Sequence, residues 1–242
     1  MDESVTYSLK SGLEYLLRFC ESKSWEIPPD LQSRITELHR KQYLLSVKSF
    51  TSDIAKYKDD YKKAIIAAIL LYPVDPSAAE LAFDFAMATA MANIFLSAWV
   101  DGGGNLPVNH DSSVWLSKRE EQERKYVAGL FVSLALLMKR PDFDIQTWAE
   151  TRADGYVATS AGIYTIGFFR AKVASGHGEE LATFDGDDGN ESCETCKKWK
   201  GKTMPINFWI ENDLVPYPGN TNLECGGWRC MHSVFDKNGN PI

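Results

Sequence analysis

Hydrophobic residues recur every three or four positions along the first 177 residues, as they do on one face of an α-helix. The clearest early stretch places apolar side chains at Leu9, Leu13, Leu16, Leu17 and Cys20. A second helix is expected after the Pro28–Pro29 break, which cannot continue the first one. The pattern therefore predicts a multi-helix region that occupies most of the chain.

Further helices are expected over 62–71, 77–100, 115–140 and 145–175. Asp75 can cap the second of these, because an aspartate before a proline at the first helical position is a common start signal. Asp144 can cap the last one, which Gly176 ends. The apolar second half of the third helix, 127–138, is expected to be buried.

The composition changes at Gly178, after which short apolar stretches alternate with turn residues. We therefore predict a helical domain over 1–177 and a Cys-rich tail over 178–242. The tryptophans expected to form the small core of this tail are Trp199, Trp209 and Trp228. The predicted fold class is mainly α, a multi-helix N-terminal region with a small, irregular, β-rich C-terminal tail.

Four of the five cysteines lie in the tail, and their spacing is typical of a metal site. Cys193 and Cys196 form a Cys-x2-Cys turn, which places two sulfurs on one side of an ion. Cys225, Cys230 and His232 follow about thirty residues later and can complete a tetrahedron. We predict a structural zinc ion that stabilises the tail, because so short a segment buries little core by itself.

Five residues compete for four coordination positions. Cys193, Cys196 and Cys230 are expected in any such site, whereas Cys225 and His232 compete for the fourth position. Three other interpretations remain open, namely a redox pair, disulfide bonds in an oxidising compartment, and unrelated buried thiols. A redox pair of the thioredoxin type should open a helix within a strand–helix–strand unit, and here acidic loop residues come first.

The sequence offers no constellation that points to catalysis. Four protein ligands would leave no open position on the metal, and no His-Glu-x-x-His motif is present. The positions of Asp185, Asp187 and Asp188 do not match an EF-hand calcium loop, so we expect a solvated acidic loop. We predict no enzymatic activity and no small-molecule substrate.

The chain is acidic, with 26 Lys+Arg against 33 Asp+Glu and a net charge of −7. This balance disfavours nucleic acid as the main ligand, although a basic run over 197–202 allows incidental DNA contact. The longest apolar run, 85–100, is shorter than the roughly 18–20 residues of a membrane span, and the acidic N-terminus is unlike a signal peptide. We therefore expect no membrane insertion and a reducing compartment.

From Trp148–Arg152 through the Cys193–Cys196 turn to Cys225–His232, a little over a third of the chain resembles the Mu-type phage minor head, or head morphogenesis, proteins. That family has a long helix, a short strand, an acidic turn, Cys-x2-Cys, and a closing motif that often ends in Cys-Arg-Cys or Cys-Arg-His. The matching pieces here are Trp148–Arg152 and the small-residue helix after it, 182–184, 185–190, Cys193–Cys196, Lys200–Lys202 and Cys225–His232. The closing motif aligns in two ways, one through Cys225 and one through Cys230–His232, and Met231 stands where arginine is common.

The resemblance implies a component of a tailed-phage or prophage virion. Such proteins are present in low copy inside the head, near the portal vertex, and act in head assembly, DNA packaging or ejection. It also implies portal and capsid or scaffold proteins as partners, and a location in the host cytoplasm during assembly. The acidic balance suits docking on proteins better than coating DNA.

Two other functions compete with this one. A zinc-ribbon-like nucleic-acid-binding module on a helical scaffold would use the basic run and the tail tryptophans. An enzyme, such as a peptidase or nuclease, would need an open coordination position on the same metal and a general base.

Overall fold

The computed structural model describes residues 54–106, 108–186, 192–217, 219–226 and 232–235, which all belong to one compact unit of residues 51–242. The helices predicted before residue 50, including the apolar positions from Leu9 to Cys20, lie outside the described residues. Residues 187–191 of the expected acidic loop, Trp228 and Cys230 lie outside them as well. The predicted division into domains 1–177 and 178–242 stays a prediction.

The described residues form six helices and three strands. The long helices are α1 (Ile54–Leu71), α2 (Pro76–Asp101), α3 (His110–Leu137) and α4 (Ile145–Ala174). The shorter elements are β1 (Leu181–Gly186), α5 (Glu194–Trp199), β2 (Lys202–Pro205), α6 (Ile206–Glu211) and β3 (His232–Phe235). The predicted fold class, mainly α with a small β-rich C-terminal part, is confirmed.

Helix α2 lies at the centre of the helical packing, against both α1 and α4. As predicted, Asp75 caps it by accepting a hydrogen bond from the backbone N–H of Ala78 at 2.9 Å, and Pro76 is its first residue. Phe83 and Phe95 are fully buried on this helix. By length and apolar composition alone α2 would qualify as a membrane span, and here 61% of its apolar window is buried inside the protein.

Helix α3 begins at His110, before its predicted start at Trp115. The reason is a cap at Asn109, in the stretch between the two helices predicted over 77–100 and 115–140. The side chain of Asn109 accepts a hydrogen bond from the backbone N–H of Ser112 at 3.0 Å, which satisfies one of the exposed donors of the first turn. The connection between α2 and α3 is therefore shorter than the sequence predicts.

Only one face of the second half of α3 is buried. Phe131 and Leu134 are buried in the core, whereas Val132 and Leu136 are 64% and 60% exposed. The expectation that the whole of 127–138 is buried is wrong, because an apolar stretch in a helix turns its side chains to every side while its neighbours cover one.

Helix α4 confirms its predicted start and end. The carboxylate of Asp144 accepts hydrogen bonds from the backbone N–H groups of Gln146 and Thr147, at 2.9 and 3.3 Å. Ser175 follows the last helical residue, and Gly176 after it is in the left-handed conformation with φ of 83°. The helix packs on α1 and α2 and also contacts α6, so it joins the helical part to the tail.

The three strands form an antiparallel sheet in the order β2–β1–β3. Thr183 pairs with Thr203 between β1 and β2, and their hydroxyl oxygens lie 2.8 Å apart. Phe184 is fully buried against Trp209, with ring centroids 5.9 Å apart. Nε1 of Trp209 donates a hydrogen bond to the carbonyl of Ala182 at 3.0 Å, which fixes α6 on the sheet. Trp209 is thus a core residue of the tail, as predicted.

Candidate metal centre

The Cys-x2-Cys motif lies at the start of α5, between β1 and β2. Cys193 is the N-cap of this short helix, and its sulfur accepts a hydrogen bond from the backbone N–H of Cys196 at 3.4 Å. Cys196 is buried and Cys193 is half-buried. The helical turn therefore presents two sulfurs at the same place, one of them shielded from solvent.

Two hydrogen bonds join the residue before Cys225 to α5. The backbone N–H of Glu194 donates to the carboxylate of Glu224 at 2.9 Å, and the backbone N–H of Glu224 donates to the hydroxyl of Thr195 at 3.3 Å. Gly226 follows in the left-handed conformation with φ of 62°, which residues with a side chain rarely adopt. This turn holds Cys225 beside the Cys-x2-Cys motif although it is distant in sequence.

The sulfur atoms of Cys193, Cys196 and Cys225 all lie within 4.8 Å of one another. In a tetrahedral zinc site with Zn–S bonds of about 2.3 Å, neighbouring sulfurs are about 3.8 Å apart, so little movement is needed for coordination. Among the described cysteines none forms a disulfide. The three residues can therefore hold a metal ion.

The surroundings of Cys193 favour its thiolate. Burial raises the pKa of this thiol, but hydrogen bonds from Cys196 and Cys225 lower it by more. Both the backbone and the side chains of these two cysteines contribute. The net pKa lies below the ordinary value of 9.0, and the thiolate is the form that binds a metal.

The two other predicted ligands have different outcomes. Cys230 lies outside the described residues, whereas His232 is in β3. The imidazole of His232 is buried and stacks on Phe184, with ring centroids 5.5 Å apart. Within the described part of the chain, the close group of possible ligands comprises the three cysteines without His232. The structure thus adds Cys225, one of the two contested residues, to the Cys-x2-Cys pair.

The direction of β1 and β2, and not the position of α5, argues against a thioredoxin-like redox pair. Contrary to expectation, Cys193 does open a helix, and that helix does lie between two strands. However, β1 and β2 are antiparallel neighbours, whereas a thioredoxin-type unit has parallel strands joined by a crossover. The surroundings of the motif are therefore those of a compact turn that gathers sulfur atoms.

The basic run 197–202 begins in the last turn of α5, and two of its lysines make local contacts. The ammonium group of Lys197 pairs with Glu194 at 2.8 Å, and that of Lys198 lies 5.2 Å from the ring centroid of Trp199. The Trp199 ring packs edge-on against Trp209 with centroids 5.8 Å apart. Trp199 thereby connects the run to the core of the tail.

Two buried polar features have no clear signal in the sequence. Arg119 and Glu123 form an ion pair on α3 and are only 3% and 6% exposed. Asn220 is fully buried in the tail and donates hydrogen bonds to backbone carbonyls. Spacing alone misses both, because an i,i+4 ion pair is usual on exposed helix faces and an asparagine is usual in surface turns.

Comparisons with models of known protein families, with curated proteins and with solved structures find no match to this chain.

Proposed function

We propose that the cysteine cluster binds one zinc ion and that Cys230 supplies the fourth thiolate. Zinc fits the donors, since structural zinc sites combine four cysteine or histidine ligands in a tetrahedron. His232 is the less suitable fourth ligand because its ring stacks on Phe184 in the core of the sheet. Cys230 follows Cys225 closely in the sequence, so a short turn can bring both to the ion.

The proposed zinc is structural rather than catalytic. Four protein ligands leave no coordination position for water or substrate. The three strands are short and their core is small, so a cross-link between α5 and Cys225 adds stability that the core supplies poorly. We accordingly propose a protein without enzymatic activity.

We propose that this chain is a minor head protein of a tailed phage or prophage, located in the virion near the portal vertex. The observation that carries the proposal is the order of α4, β1, the Cys-x2-Cys turn and Cys225 along the chain, together with the close approach of the three cysteines. The Mu-type minor head proteins have the corresponding motifs in the same order. During assembly the protein would be in the host cytoplasm.

The proposed role is docking on the portal and on capsid or scaffold proteins during head assembly, DNA packaging or ejection. The net charge of −7 suits contacts with proteins better than coating DNA. Zinc would contribute by fixing the shape of the tail that docks. Contact with DNA would then be incidental and confined to the basic run.

The test follows the protein through phage assembly. Antibody detection is expected to find it in purified procapsids and virions, and an affinity-tagged chain is expected to recover portal and scaffold proteins. Cys193→Ser should reduce this recovery, whereas Cys20→Ser, a cysteine outside the tail, serves as the matched control. Absence of the wild-type chain from both particles contradicts the proposal.

One observation favours a nucleic-acid-binding module as a second candidate function. Lys198 lies against the face of Trp199, and Lys200 and Lys202 follow, which combines positive charge with an aromatic ring. Titration with single- and double-stranded DNA at two salt concentrations distinguishes this function, because phosphate contacts weaken steeply with salt. Absence of salt-sensitive binding excludes it.

A further inference from the structure

The segment from Asp213 to Gly226, here called the docking loop, connects the metal centre with the long helices. Cys225 lies near its end, and the middle of the loop packs on α3 and α4. We infer that docking of this loop and metal binding by Cys225 are coupled, so that Gly162 and Tyr217 are positioning residues of the metal site. The inference depends on the metal site proposed above.

Hydrogen bonds within the docking loop connect the residues around Tyr217 to those around Cys225. The backbone N–H of Gly219 donates to the carbonyl of Gly226 at 2.7 Å, and the N–H of Gly226 donates to the carbonyl of Leu223 at 2.7 Å. Leu223 itself is buried. Since the bond between Gly219 and Gly226 closes the loop next to Cys225, a displacement near Tyr217 is transmitted to the cysteine.

The docking loop approaches α4 at Gly162. A Cβ atom at this position would lie 2.6 Å from the carbonyl oxygen of Pro216 and 2.7 Å from the Cβ of Tyr217. Both are atoms of the loop that cannot move aside without moving its backbone. The loop therefore reaches α4 only because residue 162 has no side chain.

Three residues of α3 hold the other side of the docking loop. The ring of Tyr217 packs edge-on against Trp115, with centroids 5.7 Å apart, and the guanidinium of Arg119 lies 5.3 Å from the Tyr217 centroid. Nε2 of Gln122 donates a hydrogen bond to the carbonyl of Gly219 at 3.1 Å. None of these contacts involves a cysteine, so α3 can hold the loop in place whether or not a metal ion is bound.

Coupling follows because one connected loop is held in its middle by α3 and α4 and near its end by the metal centre. Docking on α3 and α4 restricts the positions that Cys225 can take, and this lowers the entropy lost when metal binds. Metal binding restricts the loop in turn. By thermodynamic linkage, docking strengthens metal affinity by the same factor by which metal strengthens docking, so a change that abolishes docking loses that factor in metal affinity.

Gly162→Ala tests the coupling without replacing a metal ligand or a residue of the docking loop. In the full chain, competition with a chromophoric chelator is expected to show zinc affinity weakened about 10-fold, within the usual range for coupled sites. Gly155→Ala is the matched control, because a Cβ at this position of the same helix meets nothing within 4 Å. Equal affinities in all three proteins overturn the inference and leave the zinc site intact, whereas a wild-type chain that binds no zinc contradicts both.

Substitutions at Tyr217 test the same coupling in a second way, without adding an atom to α4. Tyr217→Ala removes the ring from Trp115 and Arg119, and we expect it to weaken zinc affinity about as much as Gly162→Ala. Tyr217→Phe keeps the ring and loses only the hydrogen bond from the hydroxyl to Asp213 at 2.8 Å, so it should retain most of the affinity.

The reciprocal measurement is amide hydrogen exchange in the wild-type chain. Zinc is expected to slow exchange at the backbone amides of Gly219 and Leu223, both of which donate hydrogen bonds inside the docking loop. Exchange at these amides that does not respond to zinc overturns the coupling even if the sulfur atoms bind the ion.

Discussion

The side chain of Asn220 donates a hydrogen bond to the backbone carbonyl of Val215 at 2.9 Å, and both residues are buried. Its amide group also donates to the carbonyl of Asp213 at 2.8 Å, and its oxygen accepts from the backbone N–H of Asn222 at 2.9 Å. One side chain thus satisfies backbone groups that no helix or strand satisfies in this part of the docking loop.

Asn220→Ala is therefore expected to lower the free energy of unfolding by about 2 kcal/mol, because it leaves buried carbonyl groups without a donor. Urea-induced unfolding measures this change. Asn212→Ala is the control, since Asn212 makes a similar hydrogen bond to the carbonyl of Phe208 at an exposed position, and its effect should stay within about 0.5 kcal/mol. Similar losses in both variants would show that Asn220 does not organise the loop.

The ion pair of Arg119 and Glu123 is buried, so removing one partner should be costly. Glu123→Ala leaves the guanidinium buried without its carboxylate, and we expect a loss of about 3 kcal/mol in the free energy of unfolding. Glu121→Ala is the control, because Glu121 pairs with Lys125 at the exposed surface and such pairs contribute about 0–1 kcal/mol. Equal effects in urea unfolding contradict the burial of the pair.

Stability should also depend on pH through Glu123. Burial raises the pKa of Glu123 above its ordinary value of 4.5, and the ion pair with Arg119 offsets only part of this increase. A carboxyl group with a higher pKa in the folded chain binds more protons when folded, so its contribution to stability falls as pH rises from 4.5 through the raised pKa.

Glu123→Gln isolates this contribution because the amide does not titrate. The free energy of unfolding of the wild-type chain minus that of Glu123→Gln is expected to fall across this pH window. Urea unfolding at a series of pH values measures the difference. A difference that rises with pH has the wrong sign for a buried carboxyl and contradicts the environment described for Glu123.

Loss of a metal ligand should affect the two parts of the chain differently. Cys193→Ser or Cys196→Ser is expected to unfold the tail and to leave α1–α4 folded, because the core around α2 does not contain the cluster. Limited proteolysis with mass spectrometry should then find new cleavage after Gly178 and a protected helical fragment. Resistance equal to that of the wild-type chain contradicts a cross-link in the tail.

Helix caps are the part of the fold that the local sequence predicts best. Asp75 and Asp144 cap their helices as expected, because capping depends on residues within a single turn. The sequence predicts too late a start for α3, because Asn109 lies among several polar residues that can cap a helix. The exposure of Val132 could not be predicted, since it depends on which neighbouring helices cover that face.

In the candidate metal site too, features that depend on neighbouring residues are predictable from the sequence, whereas contacts between distant residues are not. Spacing predicts the turn of Cys193 and Cys196, because it places both sulfurs within a few residues. Whether Cys225 or His232 lies beside them depends on contacts far apart in sequence. Pairing of β3 with β1 stacks His232 on Phe184. The docking loop brings Cys225 back to α5. Neither arrangement can be predicted from neighbouring residues in the sequence.

The metal content of the purified chain tests the central claim most directly. Elemental analysis under reducing conditions is expected to find about one zinc ion per wild-type chain and very little in Cys193→Ser or Cys225→Ser. A wild-type chain without metal, or variants that retain as much metal as the wild type, would contradict the binding of one ion by cysteines from both ends of the tail.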